Sequence, residues 1–578
     1  MFISGDERLP IKKGCHDRDA SQMNFVKLAT RLLAPKARVF EESTKNPLAA
    51  QEKVLLEYIS RNKYTEYGKA YNFSEIRSIK DYQSSVPLSD CESMRPFIEK
   101  MKKGQQNVLT VDKPEFFGVT SGTTNKPKYI PVTEYSRRKK AELMDLWSYY
   151  ILKSHPNILQ GKVLAMISPD TEGVTESGIF YGAESGHAYK NLPDFVKKMY
   201  AIPYEVFTIR DYAARYYCVL RIGMEENVST IAALNPSAIV LLCQRISGWQ
   251  EKIIKDIENG TIDTSFEVDA GIRSVLARQL KPNPKRAAQL RAILEEKKVL
   301  LPKDFWPDLV LIECWKGGTV KLYLKELPQY FGNVPVRDFG CLSTEARSSI
   351  PISDDGAGGI LAVTTNFYEF IPKDEINSSA KRFLTCDQLE AGREYFLIVT
   401  TPGGLYRYNI DDIITVDDYF NDTPVIEFVQ KGVNAVSLTG EKIYESQVNA
   451  AVLKAVESSN ILIKFFSATI EPMTPGHYVF LVEFDGMAGA GDKKALLFAI
   501  EKGLRVENRE YNDLRNEGVL GAPTLKVVKS GEFEKYRRLK ISQGAHDGQF
   551  KAPELTGDLN FQKNFEIAEE IKIDADKI

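Results

Sequence analysis

Long apolar runs are missing from this sequence. The longest, Ala238 to Cys243, is far short of the roughly 20 residues needed to cross a bilayer. An excess of charge of one sign is missing too. Lys and Arg number 76 against 78 Asp and Glu, a net charge of −2, so nothing points to nucleic acid or another polyanion as partner. The seven cysteines are scattered without a Cys-x-x-Cys pair, and their odd number argues against a disulfide framework and makes a reducing cytoplasm the expected setting. The five histidines (His16, His155, His187, His477 and His546) stand apart, so no zinc site is expected. No Gly-Lys-Ser/Thr opens a helix as in a Walker loop, and no Gly-x-Ser-x-Gly elbow supports a hydrolase. The N-terminus has acidic residues and no apolar core, unlike a signal peptide. Internal repeats and low-complexity tracts are absent as well.

What is present is a chain of 578 residues, 43% apolar and 27% charged, long enough for two or three domains. Residues 1–22 are polar and mixed in charge, the expected pattern of a frayed arm. Apolar residues then recur at helical spacing in two runs, Phe25 to Leu33 and Val54 to Ile59, with Pro35 and Pro47 as breaks. Strand-like and helical patterns alternate over the first 400 residues, which argues an α/β architecture. Lys162–Ser168, Leu309–Trp315 and Val320–Leu324 read as strands, and 171–187 reads as a loop region without regular structure. Residues 250–300 read as charged helices on a surface excursion. Residues 445–540 alternate helix and strand again, an α+β module of a size that folds alone.

One stretch carries chemistry by itself. Phe116–Val119 and Tyr129–Val132 read as hairpin strands flanking Thr120-Ser-Gly-Thr-Thr-Asn-Lys-Pro-Lys128. Free backbone N–H groups around Gly122, the hydroxyls of Thr120, Ser121, Thr123 and Thr124, and the charges of Lys126 and Lys128 suit an anion such as a nucleotide phosphate. An ordinary polar turn is the competing reading. Thr133 then fits as the N-cap of a helix to about Lys153. Its first turns carry Arg137, Arg138, Lys139 and Lys140, either a solvated basic face or the sign of a nearby anion.

Two further motifs follow, Arg337-Asp-Phe-Gly-Cys-Leu-Ser-Thr-Glu345 and Gly403-Gly-Leu-Tyr-Arg-Tyr-Asn-Ile-Asp-Asp412, and then Gln549-Phe-Lys-Ala-Pro553 near the C-terminus. The Thr120–Lys128 loop resembles the phosphate loop of the adenylate-forming superfamily. Together with Tyr406-Arg-Tyr…Asp412, the terminal lysine segment and the helical start of the chain, it resembles one branch, the Gretchen Hagen type acyl acid amido synthetases. The likeness runs from about residue 24 to 555. It implies a large N-terminal adenylate-forming domain (23–430) with mixed sheets, helices and a β-rich part, and a small hinged α+β C-terminal domain (431–578).

The resemblance also implies roles. Thr120, Ser121, Gly122, Thr123, Thr124 and Lys128 would hold the ATP phosphates, with Ser343 and Thr344 facing phosphate or metal-bound water. Glu345 would hold Mg²⁺, a role that suits an ion taking one or two carboxylates plus phosphate oxygens and water. Asp412 would accept the ribose hydroxyls with its two oxygens, beside Tyr406. Arg407 would pair with acids of the site or with phosphate. Lys431 and Gly432 would form the pivot, and Lys551 would be the mobile catalytic lysine, with Thr123 and Glu345 as its partners in catalysis. The chain departs from the pattern at Cys341, where the family usually has an aromatic residue for adenine, leaving Phe339 as the substitute. It departs again at Asp411, where the family usually has glycine.

The implied activity activates a carboxylic acid with ATP and Mg²⁺, then transfers the acyl group to an amine, expected to be an amino acid. Two readings stay open beside it. One is an acyl-CoA ligase using the same adenylate. The other is a non-catalytic binding protein that keeps the fold, supported only by Cys341 and Asp411.

Overall fold

The structure is a computed structural model. It describes residues 18–120, 128–376, 378–432, 435–436, 438, 441, 443–459, 461–472, 475–486, 488–516, 520–543 and 550–573. It is a mixed α/β protein that divides into two units. The first holds the chain to 410 and residues 414–428; the second holds 411–413 and the chain from 429 onward.

The chain enters the first unit on the helix Arg18–Ser43, so residues 18–22 of the expected arm are helical and 1–17 lie outside the described residues. Pro35 sits inside this helix instead of ending it. A proline there forfeits a backbone hydrogen bond at a cost of about 3 kcal/mol. The helix survives because Val26, Ala29, Leu33, Ala37 and Phe40 bury a continuous stripe in the core. Pro47, in contrast, opens the next helix (Pro47–Asn62), where its missing N–H costs nothing.

Three sheets build the rest of this unit. The first has the order β2-β1-β5-β4, with β1 (Pro114–Thr120), β2 (Lys128–Thr133), β4 (Gly173–Val174) and β5 (Phe180–Gly182). The second is a parallel sheet, β3-β6-β7-β8, of β3 (Lys162–Ala165), β6 (Val228–Ala232), β7 (Leu311–Glu313) and β8 (Val336–Arg337). The third is six-stranded, β11-β12-β13-β14-β10-β9. Its strands are β9 (Ser349–Ile350), β10 (Gly359–Leu361), β11 (Phe367–Pro372), β12 (Glu394–Thr400), β13 (Tyr408–Phe420) and β14 (Thr423–Lys431).

Three sequence expectations change. Residues 171–187 contain the β4–β5 hairpin and the start of the helix Glu184–Lys190; strands of two and three residues are too short to show a period. Val320–Leu324 is helical, not a strand. The apolar spacing Val320, Leu324, Leu327, Phe331 continues into the helix Leu327–Phe331 and is the helical one. The charged helices between 250 and 300 are also more than an excursion. Ile253, Ile254, Ile257, Leu276, Ala287 and Leu290 are buried in the core around the parallel sheet.

In the second unit, β17 (Ile463–Glu471), β18 (His477–Phe484), β19 (Thr524–Val528) and β20 (Ile567–Lys572) form one sheet, preceded by the short pair β15 (Ala435–Val436) and β16 (Ile443–Tyr444). Helices Glu445–Ser459, Ala490–Glu507, Arg509–Asn516 and Glu532–Ser542 accompany it.

Candidate functional site

The loop that ties the sequence motifs together, residues 121–127, lies outside the described residues, so Ser121, Gly122, Thr123 and Thr124 are not placed. The side chains of Thr120 and Lys431 are likewise not described. The stem of the loop is. β1 and β2 pair antiparallel with Gly118 opposite Ile130, Val119 opposite Tyr129 and Thr120 opposite Lys128, so the loop leaves and re-enters the sheet at one point. Beyond the stem, Thr133 caps the helix Glu134–Ser154. Its hydroxyl accepts from the Ser136 N–H while the Ser136 hydroxyl accepts from the Thr133 N–H.

The second motif meets the first at Gly118. Leu342 and Arg347 bridge antiparallel, which puts Ser343, Thr344 and Glu345 on the turn between them. A Cβ on Gly118 would lie 2.5 Å from the Thr344 methyl, so only glycine lets the turn sit against the loop stem. The Ser343 hydroxyl is engaged within the turn, donating to the Ala346 carbonyl and accepting from the Ala346 N–H. The Thr344 carbonyl accepts from Lys140 Nζ at 2.8 Å, and the same ammonium reaches Glu184 at 2.7 Å. Glu345 is buried, with 6% of its surface exposed, and among the described residues no donor reaches its carboxylate.

The third motif completes the arrangement. Its turn presses on the hairpin, since a Cβ on Gly403 would lie 2.8 Å from the Pro131 carbonyl. Tyr408 lies within electrostatic reach of Glu345: burial, then Glu345, push its phenol well above the ordinary range. Cys91 neighbours Tyr408 and Lys128; burial raises its thiol and the cations of Arg95 and Lys128 oppose the rise. Lys128, Tyr408, Thr344 and Glu345 thus gather around the loop stem.

Tyr406 and Arg407 are placed differently. Tyr406 is fully buried, donates to the Leu109 carbonyl at 2.8 Å and stacks on Tyr67 with centroids 4.9 Å apart. Arg407 forms a bidentate pair with Glu369, both bonds 2.9 Å, and its Nη1 donates to the carbonyls of Gln83 and Val86. Of the two roles open to Arg407, pairing with an acid is the one occupied, and the acid is a core residue. Burial raises the Glu369 carboxyl while Arg407 works against it.

Asp412 is buried on β13 with 7% of its surface exposed. Its neighbour Asp411 has φ +61, the left-handed region that glycine enters freely and aspartate at small cost. The departure from glycine therefore keeps the backbone conformation. One face of the Phe339 ring is taken. The residue is buried and stacked on Trp147 at 5.1 Å, and its carbonyl accepts from Arg347. Cys341 is partly exposed, held by its N–H to Ser349 Oγ at 2.9 Å.

The four cations after Thr133 mostly read as a paired face: Arg137 with Glu115, Arg138 with Glu134 and Lys139 with Glu57. Lys140 is paired as well, with Glu184, but it alone of the four also reaches the Ser-Thr-Glu turn, at the Thr344 carbonyl. Its place three residues before Leu143 and seven before Trp147 puts it on the buried side of the helix, and that spacing was the available signal.

On the second unit, Lys551 precedes a segment fixed to β17. Ser467 Oγ donates to the Pro553 carbonyl, the Ala468 N–H to Glu554 and the Thr556 N–H back to Ala468. Lys551 Nζ lies 2.6 Å from Glu554 Oε1. The boundary between the units falls at 428/429, next to Lys431 and Gly432, with Gly432 N–H donating to the Asp411 carbonyl.

The fold carrying these features is that of an amido synthetase. The solved acyl acid amido synthetase GH3.15 superposes with a TM-score of 0.82 at 23% identity, covering 92% of this chain and 96% of that one. Three domain families match in order: the GH3 family N-terminal domain over 36–336, the central domain over 359–431 and the C-terminal domain over 446–560. The chain belongs to the GH3 family. Relatives include a jasmonoyl–L-amino acid synthetase of Nicotiana attenuata, 26% identical over 90% of this chain and 93% of its own length. An indole-3-acetic acid-amido synthetase of Arabidopsis thaliana is 24% identical over 89% and 90%.

Proposed function

We propose that this protein is an ATP-dependent acyl acid amido synthetase that joins a carboxylic acid to an amino acid through an acyl-adenylate. The observation that carries the reading is the contact of Gly118 with Thr344, which sets the phosphate-type loop stem against the Ser-Thr-Glu turn. The names of the relatives, which are acid–amino acid synthetases, support the same class.

In the first half-reaction a carboxylate oxygen of the acid attacks the α-phosphorus of ATP, and pyrophosphate leaves. The Thr120–Thr124 loop and Lys128 would hold the phosphates, and Asp412 the ribose. Lys551 would stabilise the charge that builds on the α-phosphate, where a preorganised cation acts most strongly. Glu345 fits a Mg²⁺ ion, since it is a buried carboxylate that no donor among the described residues reaches, and a cation would balance it. When bound, the ion would neutralise phosphate charge. Tyr406 and Arg407 would serve this site by fixing the backbone that leads into β13.

In the second half-reaction the amine nitrogen attacks the acyl carbon, loses a proton, and AMP leaves. Residues 431–578 would be the mobile part, turning at Lys431–Gly432 between the two steps. A cytoplasmic setting fits described cysteines that form no disulfide with one another; among the described residues no helix is long and apolar enough to span a membrane. The test is a pyrophosphate-release screen over aryl, indolyl and aliphatic acids with pooled amino acids. Release that requires both ATP and a particular acid supports the reading, and no release with any acid defeats it.

A further inference from the structure

The segment that carries Lys551 ends in a carboxyl cluster that neither the fold nor the proposed reaction has so far used. Glu554 is 6% exposed, and its two oxygens are divided. Oε1 meets Lys551 Nζ at 2.6 Å, and Oε2 accepts from Asn449 Nδ2 at 2.9 Å. Glu445, at the start of the helix Glu445–Ser459, hydrogen-bonds to Glu554 and accepts from the Leu555 N–H. Asn449 lies one turn further along that helix, so one helix face presents both groups to the segment. From β17 come uncharged groups, the Ser467 hydroxyl to Pro553 and the Ala468 N–H to Glu554.

We propose that Glu554, aimed by Asn449 and joined to Glu445 by a shared proton, is the positioning residue that sets where the Lys551 ammonium points. The inference rests on the reading of Lys551 as the adenylation lysine. A lysine on a four-carbon stem has much rotamer freedom. A fixed carboxylate that accepts one of its three N–H bonds leaves the other two directed, ready for phosphate oxygens.

The charge count explains why two acids are present. Two carboxylates in hydrogen-bond contact cannot both ionise readily. Burial, then the charge of Glu554, push Glu445 up to about 7, with Lys551 opposing. Below that pH, Glu445 holds the proton and the pair carries one negative charge, which orients Lys551 without cancelling its field twice over. Above it the pair carries two negative charges, which grip the ammonium and offset its effect on phosphate. Adenylation is therefore expected to decline as pH rises through about 7.

The test measures both half-reactions in the full-length protein for Glu554→Gln, Glu445→Gln and Lys551→Ala. The readouts are pyrophosphate release from acid and ATP across pH, and amide formation from chemically made acyl-adenylate. Glu554→Gln is expected to lower kcat for pyrophosphate release by about ten- to a hundredfold, the scale of a misaimed catalytic group, with KM for ATP unchanged. Its normal amide formation from the adenylate would show that it is folded. Glu445→Gln, a neutral isostere of the protonated acid, is expected to lose the decline above pH 7. If Lys551→Ala is defective while both glutamine variants match wild type in rate and pH profile, the positioning role is overturned and the lysine reading stands. If Lys551→Ala releases pyrophosphate normally, the lysine reading falls and this inference falls with it. Loss of both half-reactions in Glu554→Gln would mark Glu554 as structural and overturn the proposal.

Discussion

Gly118 and Thr344 touch: the methyl of Thr344 occupies the space where any other residue at 118 would place its Cβ, 2.5 Å away. Two stretches more than two hundred residues apart in the chain meet there, and neither can shift without the other. Gly118→Ala is therefore expected to force the loop stem and the Ser-Thr-Glu turn apart. Overpacking of this kind costs about 1–3 kcal/mol, and pyrophosphate release should fall with it. Thr344→Ser removes the offending methyl, so the Gly118→Ala/Thr344→Ser double variant should recover stability and rate together. Steady-state kinetics and urea unfolding of the three variants check this; a double variant no better than Gly118→Ala would remove the contact as the cause.

Arg407 and Glu369 form the other relationship that the site depends on. Both are buried, and the pair holds the strand leading to Asp412. Arg407→Met leaves a buried carboxylate uncompensated and should cost about 3–5 kcal/mol of stability. Adding Glu369→Gln should restore a good part of that loss, because the unpaired charge is then gone. Urea midpoints of the single and double variants decide it. An Arg407→Met protein as stable as wild type, with only its ATP affinity reduced, would mean that the guanidinium serves the nucleotide.

The difference between these two motifs shows what the sequence could and could not reveal. The hairpin strands and the Thr133 cap were legible because strand pattern and capping chemistry are local. The pairing of Arg407 was not, since its partner Glu369 lies on β11, 38 residues away, and nothing local separates a core arginine from a phosphate-binding one. Phe339 is similar: nothing local announced that Trp147, almost two hundred residues earlier, takes one face of its ring. Residues 320–331 misled through a short window, since alternation over five residues concealed a helical spacing over twelve. Lys140 lost its signal among three neighbouring cations whose partners are surface acids.

Asp412→Asn is expected to raise KM for ATP more than it lowers kcat at saturation. Ribose contacts form in the ground state and persist through the reaction, which makes them uniform binding. Loss of a charged hydrogen bond corresponds to about 1.5–3 kcal/mol. Initial rates over a range of ATP concentrations check it, and an unchanged KM would count against a ribose role.

Glu345→Gln should shift the Mg²⁺ dependence of activity to higher concentration, because the site offers few protein ligands. The same substitution removes a buried carboxylate that no donor among the described residues reaches, so the variant should be no less stable than wild type without metal. Mg²⁺ titrations of rate and thermal unfolding in chelator test the two halves separately. Superimposable titrations would make Glu345 structural.

One active site is expected to make an adenylate and then an amide. The most direct measurement is product stoichiometry by mass spectrometry and phosphate analysis, with an acid found active in the pyrophosphate screen, ATP, an amino-acid pool and CoA all present together. The account predicts acyl–amino acid, AMP and pyrophosphate in equal amounts, with free acyl-adenylate accumulating when the amino acids are left out. Acyl-CoA as the product, or ADP and phosphate in place of AMP and pyrophosphate, would contradict it.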